Sequence, residues 1–169
     1  MRIGIVGAGR LGTALAHRLG LAGHSIKLSF SRDLGAMAET ARHHGAVTGT
    51  PDEAAAFGDV MALTVTWPIV PQAVRLCGAA LDGRILWDCT STIRRGMTGL
   101  EIGTTTSGAE VIAGLAPAAR VVKGVPTFAD LLMSDDPTVV GRPVSTFVAV
   151  TTPTPRPSSR PCSATCRPP

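Results

Sequence analysis

The chain has 169 residues, 44% of them hydrophobic and 17% charged, with a formal net charge of +4. That length suits one α/β domain with a buried core and leaves too few residues for a second, and the apolar content excludes a disordered chain. Arg156, Arg160 and Arg167 lie in a tail without acids, so residues 1–149 hold 13 basic and 12 acidic side chains, interspersed, with no basic stripe for a nucleic-acid partner.

The order of elements begins with Arg2 to Val6, a short apolar strand, followed by Arg10 to Leu21, where Leu11, Leu15 and Leu19 recur at helical spacing. Ser25 to Phe30 alternates as a second strand, and Asp33 to His44 reads as a helix with an acid at its start. A short strand at Ala46 to Thr48 precedes Thr50-Pro51-Asp52-Glu53, where Thr50 can cap, Pro51 fits the first helical position and Glu53 closes a capping box before a helix to Phe57. Asp59 to Thr66 is an apolar run of strand length, broken by Trp67-Pro68, and Val70 to Leu81 is the next helix. Ile85 to Asp88 is a buried strand, Thr90 to Gly108 a polar loop, Ala109 to Leu115 a helix, and Arg120 to Lys123 and Pro143 to Ala149 two more strands.

Strands alternating with helices, most of them apolar on both faces, indicate a doubly wound, mainly parallel α/β sheet of Rossmann type, with an irregular C-terminal tail. The expected division is an NADP-binding domain over 1–149 and a Pro-rich tail over 150–169. No apolar run approaches the roughly 20 residues of a membrane span, and Met1 leads straight into a strand rather than a signal peptide. A cytoplasmic protein with no membrane partner is expected. Cys77, Cys89, Cys162 and Cys166 are irregularly spaced and read as reduced thiols, neither a disulfide framework nor a metal site.

Gly7-Ala8-Gly9-Arg10-Leu11-Gly12 is G-x-G-x-x-G, set after a strand and opening a helix, as the dinucleotide-binding turn requires. Gly7 permits the tight turn, Gly9 lets the backbone approach a pyrophosphate, Gly12 lets helix and strand pack closely, and the helix N-terminus supplies N–H groups to phosphate. At the end of the second strand, where an NAD enzyme places an acid on the ribose, stand Ser31-Arg32 and then Asp33. A guanidinium and a hydroxyl there suit the 2′-phosphate of NADP. The residues leave one alternative open, in which Arg32 is a solvated turn residue and Asp33 is the ribose ligand or a helix cap. Thr66, Trp67 and Pro68 end the fourth strand, where such domains line the nicotinamide half of the cleft; Trp67 either packs on cofactor or plugs the start of a helix.

On MRIGIVGAGRLGTALA, Ser31-Arg32, the EAAAFGDV segment with its strand ending in Thr66-Trp67-Pro68, and GLAPAARVVKGVPTF, the chain resembles the NADP oxidoreductases dependent on coenzyme F420, a deazaflavin hydride carrier. The resemblance runs from Met1 to about Ala149. It implies direct hydride transfer between NADP(H) and coenzyme F420 as a small-molecule hydride carrier, held by proximity, with no protein side chain in a catalytic role. Related domains commonly dimerise, so a homodimer is left open. The chain departs from the family pattern on the substrate side, at Asp88-Cys89-Thr90-Ser91-Thr92 and at Pro126 of Lys123 to Phe128. These departures keep two alternatives in view: an NADPH-dependent reductase of an imine or other small acceptor, and a nucleotide-binding fragment without catalysis.

His17, His24, His43 and His44 fall in or beside helices away from the strand ends and read as surface or packing residues. Cys89 sits at a strand end, but nothing near it in sequence would lower its pKa. From Val150 the tail holds six of the thirteen prolines and no acid, a composition that does not build a core. A one-base change of reading frame near Ala149 would replace it with a turn and an amphipathic helix like the one that follows this strand in relatives. The expectation is a truncated or frameshifted C-terminus.

Overall fold

The computed structural model describes residues 1–124, 132–134, 138–139, 142–143 and 147–150. Its strands are β1 (Arg2–Val6), β2 (Ser25–Ser29), β3 (Val47–Gly49), β4 (Val60–Leu63), β5 (Ile85–Asp88), β6 (Arg120–Gly124), β7 (Thr138–Val139), β8 (Arg142–Pro143) and β9 (Val148–Val150). The α-helices are α1 (Arg10–Leu21), α2 (Leu34–His43), α3 (Pro51–Phe57), α4 (Val70–Cys77) and α5 (Gly108–Leu115).

Six strands run parallel in the order β3-β2-β1-β4-β5-β6, and β9 pairs antiparallel with β6 at the edge. The expected doubly wound sheet is therefore present. Successive side chains of β1 serve opposite faces. Ile3 and Ile5 join Leu15 and Ala16 of α1 and Leu28 of β2 in one core, whereas Val6 joins Met61, Leu63, Val70 and Ile112 in the other. Of the helical leucines, Leu15 is buried, and Leu11 and Leu19 pack partly buried against the same core. Each fully buried aliphatic side chain contributes roughly 1.5–3 kcal/mol, so helices on both faces are needed to hold the central strands.

Several boundaries differ from the sequence reading. β2 stops at Ser29 because Phe30 turns left-handed, with φ 63°. β4 stops at Leu63; just past it the Thr64 amide still donates to the Val6 carbonyl at 2.9 Å, and the Thr64 hydroxyl adds bonds to the carbonyls of Val6 (3.1 Å) and Gly7 (2.8 Å). α4 ends at Cys77, since Gly78 has φ 54° and a 3-10 turn over Gly78–Leu81 follows. α3 begins at Pro51 behind the expected capping box: the Glu53 amide donates to Thr50 Oγ1, and the Thr50 amide donates to the Glu53 carboxylate. The strand expected over Pro143 to Ala149 is divided, with Pro143 in β8 and the sheet strand beginning at Val148; residues 144–146 lie outside the described residues, as do 125–128 and the tail 151–169.

Candidate functional site

From β1 the chain winds outward to β2 and β3 on one side, while β4 to β6 build out on the other. The carboxyl ends of β1 and β4 thus flank the point where strand order reverses, the place where open α/β sheets bind ligands. Gly7 to Gly12 occupies that point. Gly7 has φ 118°, and its amide donates to the Ser29 carbonyl at 2.9 Å. A Cβ at Gly12 would run into the Gly7 carbonyl, so the third glycine is what lets α1 start hard against the turn. Around Gly9 the situation is reversed: a Cβ there would meet nothing within 4 Å. Its exposed backbone is open to an approaching group, and it caps α1 with no side-chain bond into the first turn.

Of the other helix starts, α4 also has no side-chain cap but runs on from the 3-10 turn at Trp67–Ile69, whereas the remaining three are capped. α2 is capped by Asp33, whose Oδ1 accepts the Ala36 amide at 2.9 Å, and α3 and α5 each carry a complete capping box. In α5 the Glu110 amide donates to Ser107 Oγ at 3.2 Å, and the Ser107 amide to Glu110 Oε2 at 2.6 Å. The bonded carboxylate sits below its ordinary pKa, chiefly through the Ser107 hydroxyl. At α1 the positive end of the helix is left to an anion, the arrangement that binds phosphate in dinucleotide enzymes.

The second predicted group lies at the end of β2. The Ala8 amide donates to the Phe30 carbonyl at 3.1 Å, which ties the glycine turn to the segment carrying Ser31 and Arg32. The Asp33 amide donates to Ser31 Oγ at 3.1 Å. Asp33 is therefore engaged as a helix cap, whereas the exposed Arg32 has no hydrogen-bond or ion-pair partner among the described residues. Holding Phe30 left-handed costs a non-glycine residue about 1–2 kcal/mol. Its partly buried ring packs against the core cluster of Val6, Met61 and Leu63.

Thr66 and Pro68 are exposed after β4, and Trp67 is partly buried. The Trp67 ring packs on the same core cluster and against the first residue of α5, where a Cβ on Gly108 would lie 3.0 Å from it. These are the contacts that the packing reading of Trp67 expects.

At the ends of β5 and β6 stands a group that sequence reasoning did not find. Parallel register sets Asp88 beside Lys123. The Lys123 ammonium donates to Asp88 Oδ2 at 3.0 Å and, by a short bond, to the Thr90 carbonyl. Asp88 Oδ1 accepts both the amide (2.8 Å) and the hydroxyl (2.7 Å) of Thr90. The Asp88 side chain is 0% exposed and that of Lys123 26%, so the carboxylate is paired and fully hydrogen-bonded, as a buried charge must be. Beside it, Cys89 is buried and its thiol pKa is pushed up, first by burial and then by Asp88, against an opposing effect of Lys123. Cys77 is likewise raised, to about 12, mainly by burial. Neither thiol is disposed to react at neutral pH.

His17, His43 and His44 gather away from the carboxyl ends of the strands, while His24 lies 3.4 Å from the N-terminal amine. His17 of α1 and His44, the C-cap of α2, bring their Nδ1 atoms to 3.2 Å, and His43 stacks edge-on against His44. Burial, then the His17 and His43 charges, hold the His44 pKa below its ordinary value. Among the described residues no three potential ligands come together as a metal site, and no helix is long and apolar enough to cross a membrane.

A structure of a protein from Arthrobacter sp. FB24, assigned as an F420-dependent NADP-reductase, superposes with TM-score 0.78 and 26% identity, over 90% of this chain and 74% of that one. The hypothetical protein SMa0349 of Sinorhizobium meliloti gives TM-score 0.69 and 25% identity, over 80% and 66% of the two chains. An imine reductase from Myxococcus stipitatus, at 20% identity and TM-score 0.61 over 78% of this chain and 42% of that one, shares the fold. In sequence, the glycerol-3-phosphate dehydrogenase [NAD(P)+] of Azorhizobium caulinodans is 34% identical over 154 residues, which covers 82% of this chain. The chain spans 44% of that relative's length. The family described as NADP oxidoreductase, coenzyme F420-dependent, matches over residues 2–92, which take in the glycine turn, Arg32 and the end of β5. The chain belongs to the coenzyme F420-dependent NADP oxidoreductase family.

Proposed function

We propose that this chain binds NADP(H) at the β1–β4 switch point and serves an oxidoreductase that exchanges hydride directly with coenzyme F420. The observation that supports the nucleotide half is the open glycine turn at the switch point: α1 opens at an exposed Gly9 where a Cβ would meet nothing within 4 Å, while α2, α3 and α5 cap their first turns with side chains and the uncapped α4 continues from a 3-10 turn. Gly7, Ala8, Gly9, Arg10, Leu11 and Gly12 would hold the pyrophosphate, and Ser31 and Arg32 the 2′-phosphate. Thr66, Trp67 and Pro68 would border the nicotinamide, with Trp67 acting mainly as packing. NADPH, when bound, supplies the hydride; the chain's residues bind and orient the two carriers, and none is assigned a proton to move.

The domain reading goes with this proposal: residues 1–149 form the NADP-binding unit and 150–169 a Pro-rich tail of altered reading frame. A second reading, reduction of an imine or another small acceptor, is favoured by one observation. The segment from the end of β5, Asp88 to Thr92, departs from the family pattern, and Lys123 is bonded to it at Asp88 and Thr90.

The experiment is a thermal-melt titration with NADPH and NADH, because a ligand that binds the folded state alone raises its apparent stability. NADPH should raise the melt more than NADH, and Arg32→Ala should remove a preference of roughly 10- to 100-fold, the worth of about 1.5–3 kcal/mol of hydrogen bonds to a charged group. Equal response to both nucleotides, unchanged in Arg32→Ala, would overturn the NADP assignment. Absorbance change of added coenzyme F420 on mixing with NADPH then separates the deazaflavin reading from an imine reductase.

A further inference from the structure

We infer that Phe30 is a positioning residue for cofactor choice: its left-handed backbone and anchored ring hold Arg32 at a fixed offset from the glycine turn. The inference rests on the NADP reading above.

A bulky residue at positive φ is a true outlier, and glycine is the residue such a position ordinarily takes. Backbone of this kind persists only where its surroundings over-determine it, and its cause is then sought in function. Two restraints act on Phe30. Its carbonyl accepts the Ala8 amide at 3.1 Å, and its ring packs against the core cluster of Val6, Met61 and Leu63. Beyond it the chain is fastened again, by the Asp33 amide on Ser31 Oγ and the Ala36 amide on Asp33 Oδ1. Arg32 stands between these two fastenings, exposed and with no side-chain partner among the described residues.

NADPH differs from NADH at the 2′-phosphate alone, and it must engage the glycine turn and Arg32 at once. A turn already locked in place keeps the ordering cost of that second contact low, which is what preorganisation contributes to affinity. Glycine would allow the same φ but many other conformations too. The phenylalanine ring supplies what glycine cannot, a reason for the chain to leave β2 in one direction.

The test measures NADPH and NADH dissociation constants on the full chain for the native protein and for Phe30→Gly, Phe30→Asn and Phe30→Tyr. Glycine and asparagine both accept positive φ, so the turn remains possible without the ring. Both should weaken NADPH by roughly two- to five-fold while leaving NADH unchanged, and tyrosine should keep the native ratio. The Phe30→Gly effect should vanish when Arg32→Ala is already present, because Phe30 acts through Arg32.

Equal weakening of both nucleotides, an unaltered ratio in the glycine and asparagine variants, or loss of a cooperative melt in both would make the ring ordinary packing and overturn the inference. A native protein without any preference for NADPH would remove the NADP reading and this inference together. A native preference that survives Phe30→Gly and Phe30→Asn would remove the inference alone.

Discussion

The carboxyl ends of the strands carry two neighbourhoods built on opposite plans. Around β1 and β2 polar groups are left reaching outward: Gly9 is bare, α1 has no side-chain cap, and Arg32 has no partner among the described residues. Around β5 and β6 they are turned on one another, with Asp88, Thr90 and Lys123 joined and the start of α5 closed by its own box. An outward-facing set of donors is stable only in water or against a ligand of opposite charge. A self-satisfied set stabilises the domain without any ligand. On the NADP reading the first region serves recognition, and the second forms a self-supported wall beside it.

The sharpest way to break this contrast is to give α1 the cap it lacks. Gly9→Asp has room, since a Cβ meets nothing there, and the carboxylate would cap the helix as Asp33 caps α2. The melt of the nucleotide-free protein should hold or rise by a few tenths of a kcal/mol. NADPH binding should be lost, because a carboxylate near the phosphates is repelled by about 4 kcal/mol at an effective dielectric of about 20. A variant that still binds NADPH with native affinity would mean the phosphates do not sit at this turn.

Lys123→Met probes the other region. It strands a fully buried carboxylate, and removal of one partner from such a pair costs about 3 kcal/mol, or a fall of roughly 10 °C in the melt of a domain this size. Protein that remains folded should bind NADPH as before. An unchanged melt would show that the Asp88–Lys123 bond contributes nothing to the wall.

The smallest effect concerns pH, and belongs to neither region. The His44 pKa is lowered on folding by burial and by His17 and His43, so the unfolded chain binds the proton more readily. Stability present above the ordinary imidazole pKa is therefore lost as pH falls through that value. His44→Gln should flatten the dependence of the melt between about pH 7.5 and 5.5, with NADPH preference untouched. A slope identical to the native one would assign the pH dependence to other groups.

How far each region was legible in the sequence follows from the same contrast. The glycine turn is a local device: spacing, preceding strand and following helix all lie within Arg2 to Leu21, and the structure sets them at the switch point. The Asp88–Lys123 pair spans 35 positions and exists only because parallel register puts the two side by side. No turn fixes that register, so the chain text does not show it. Phe30 was invisible for another reason. A phenylalanine after an alternating strand looks like one more strand residue, and its left-handed turn runs against local preference. Thr64 misled in the same way, since a threonine inside an apolar run reads as strand although its hydroxyl turns back onto the carbonyls of Val6 and Gly7 just past the end of β4. The Ser107-to-Glu110 box, in contrast, was readable as S-x-x-E and would have started the helix one residue earlier than Ala109.

The antiparallel edge has a consequence for how the protein is made. β6 is complete when Gly124 leaves the synthesis site, but the strand that pairs with its outer edge spans Val148–Val150. At ordinary translation speeds the intervening stretch takes roughly one to five seconds to add. For that interval Val121 and Val122 sit on a bare strand edge, the kind that pairs with neighbouring chains on a crowded polysome. Even once in place, Phe147 and Val148 remain 85% and 66% exposed. Soluble yield should therefore depend on how soon residues 148–150 pair with β6 once both have emerged, so weakening that edge pairing would lower it.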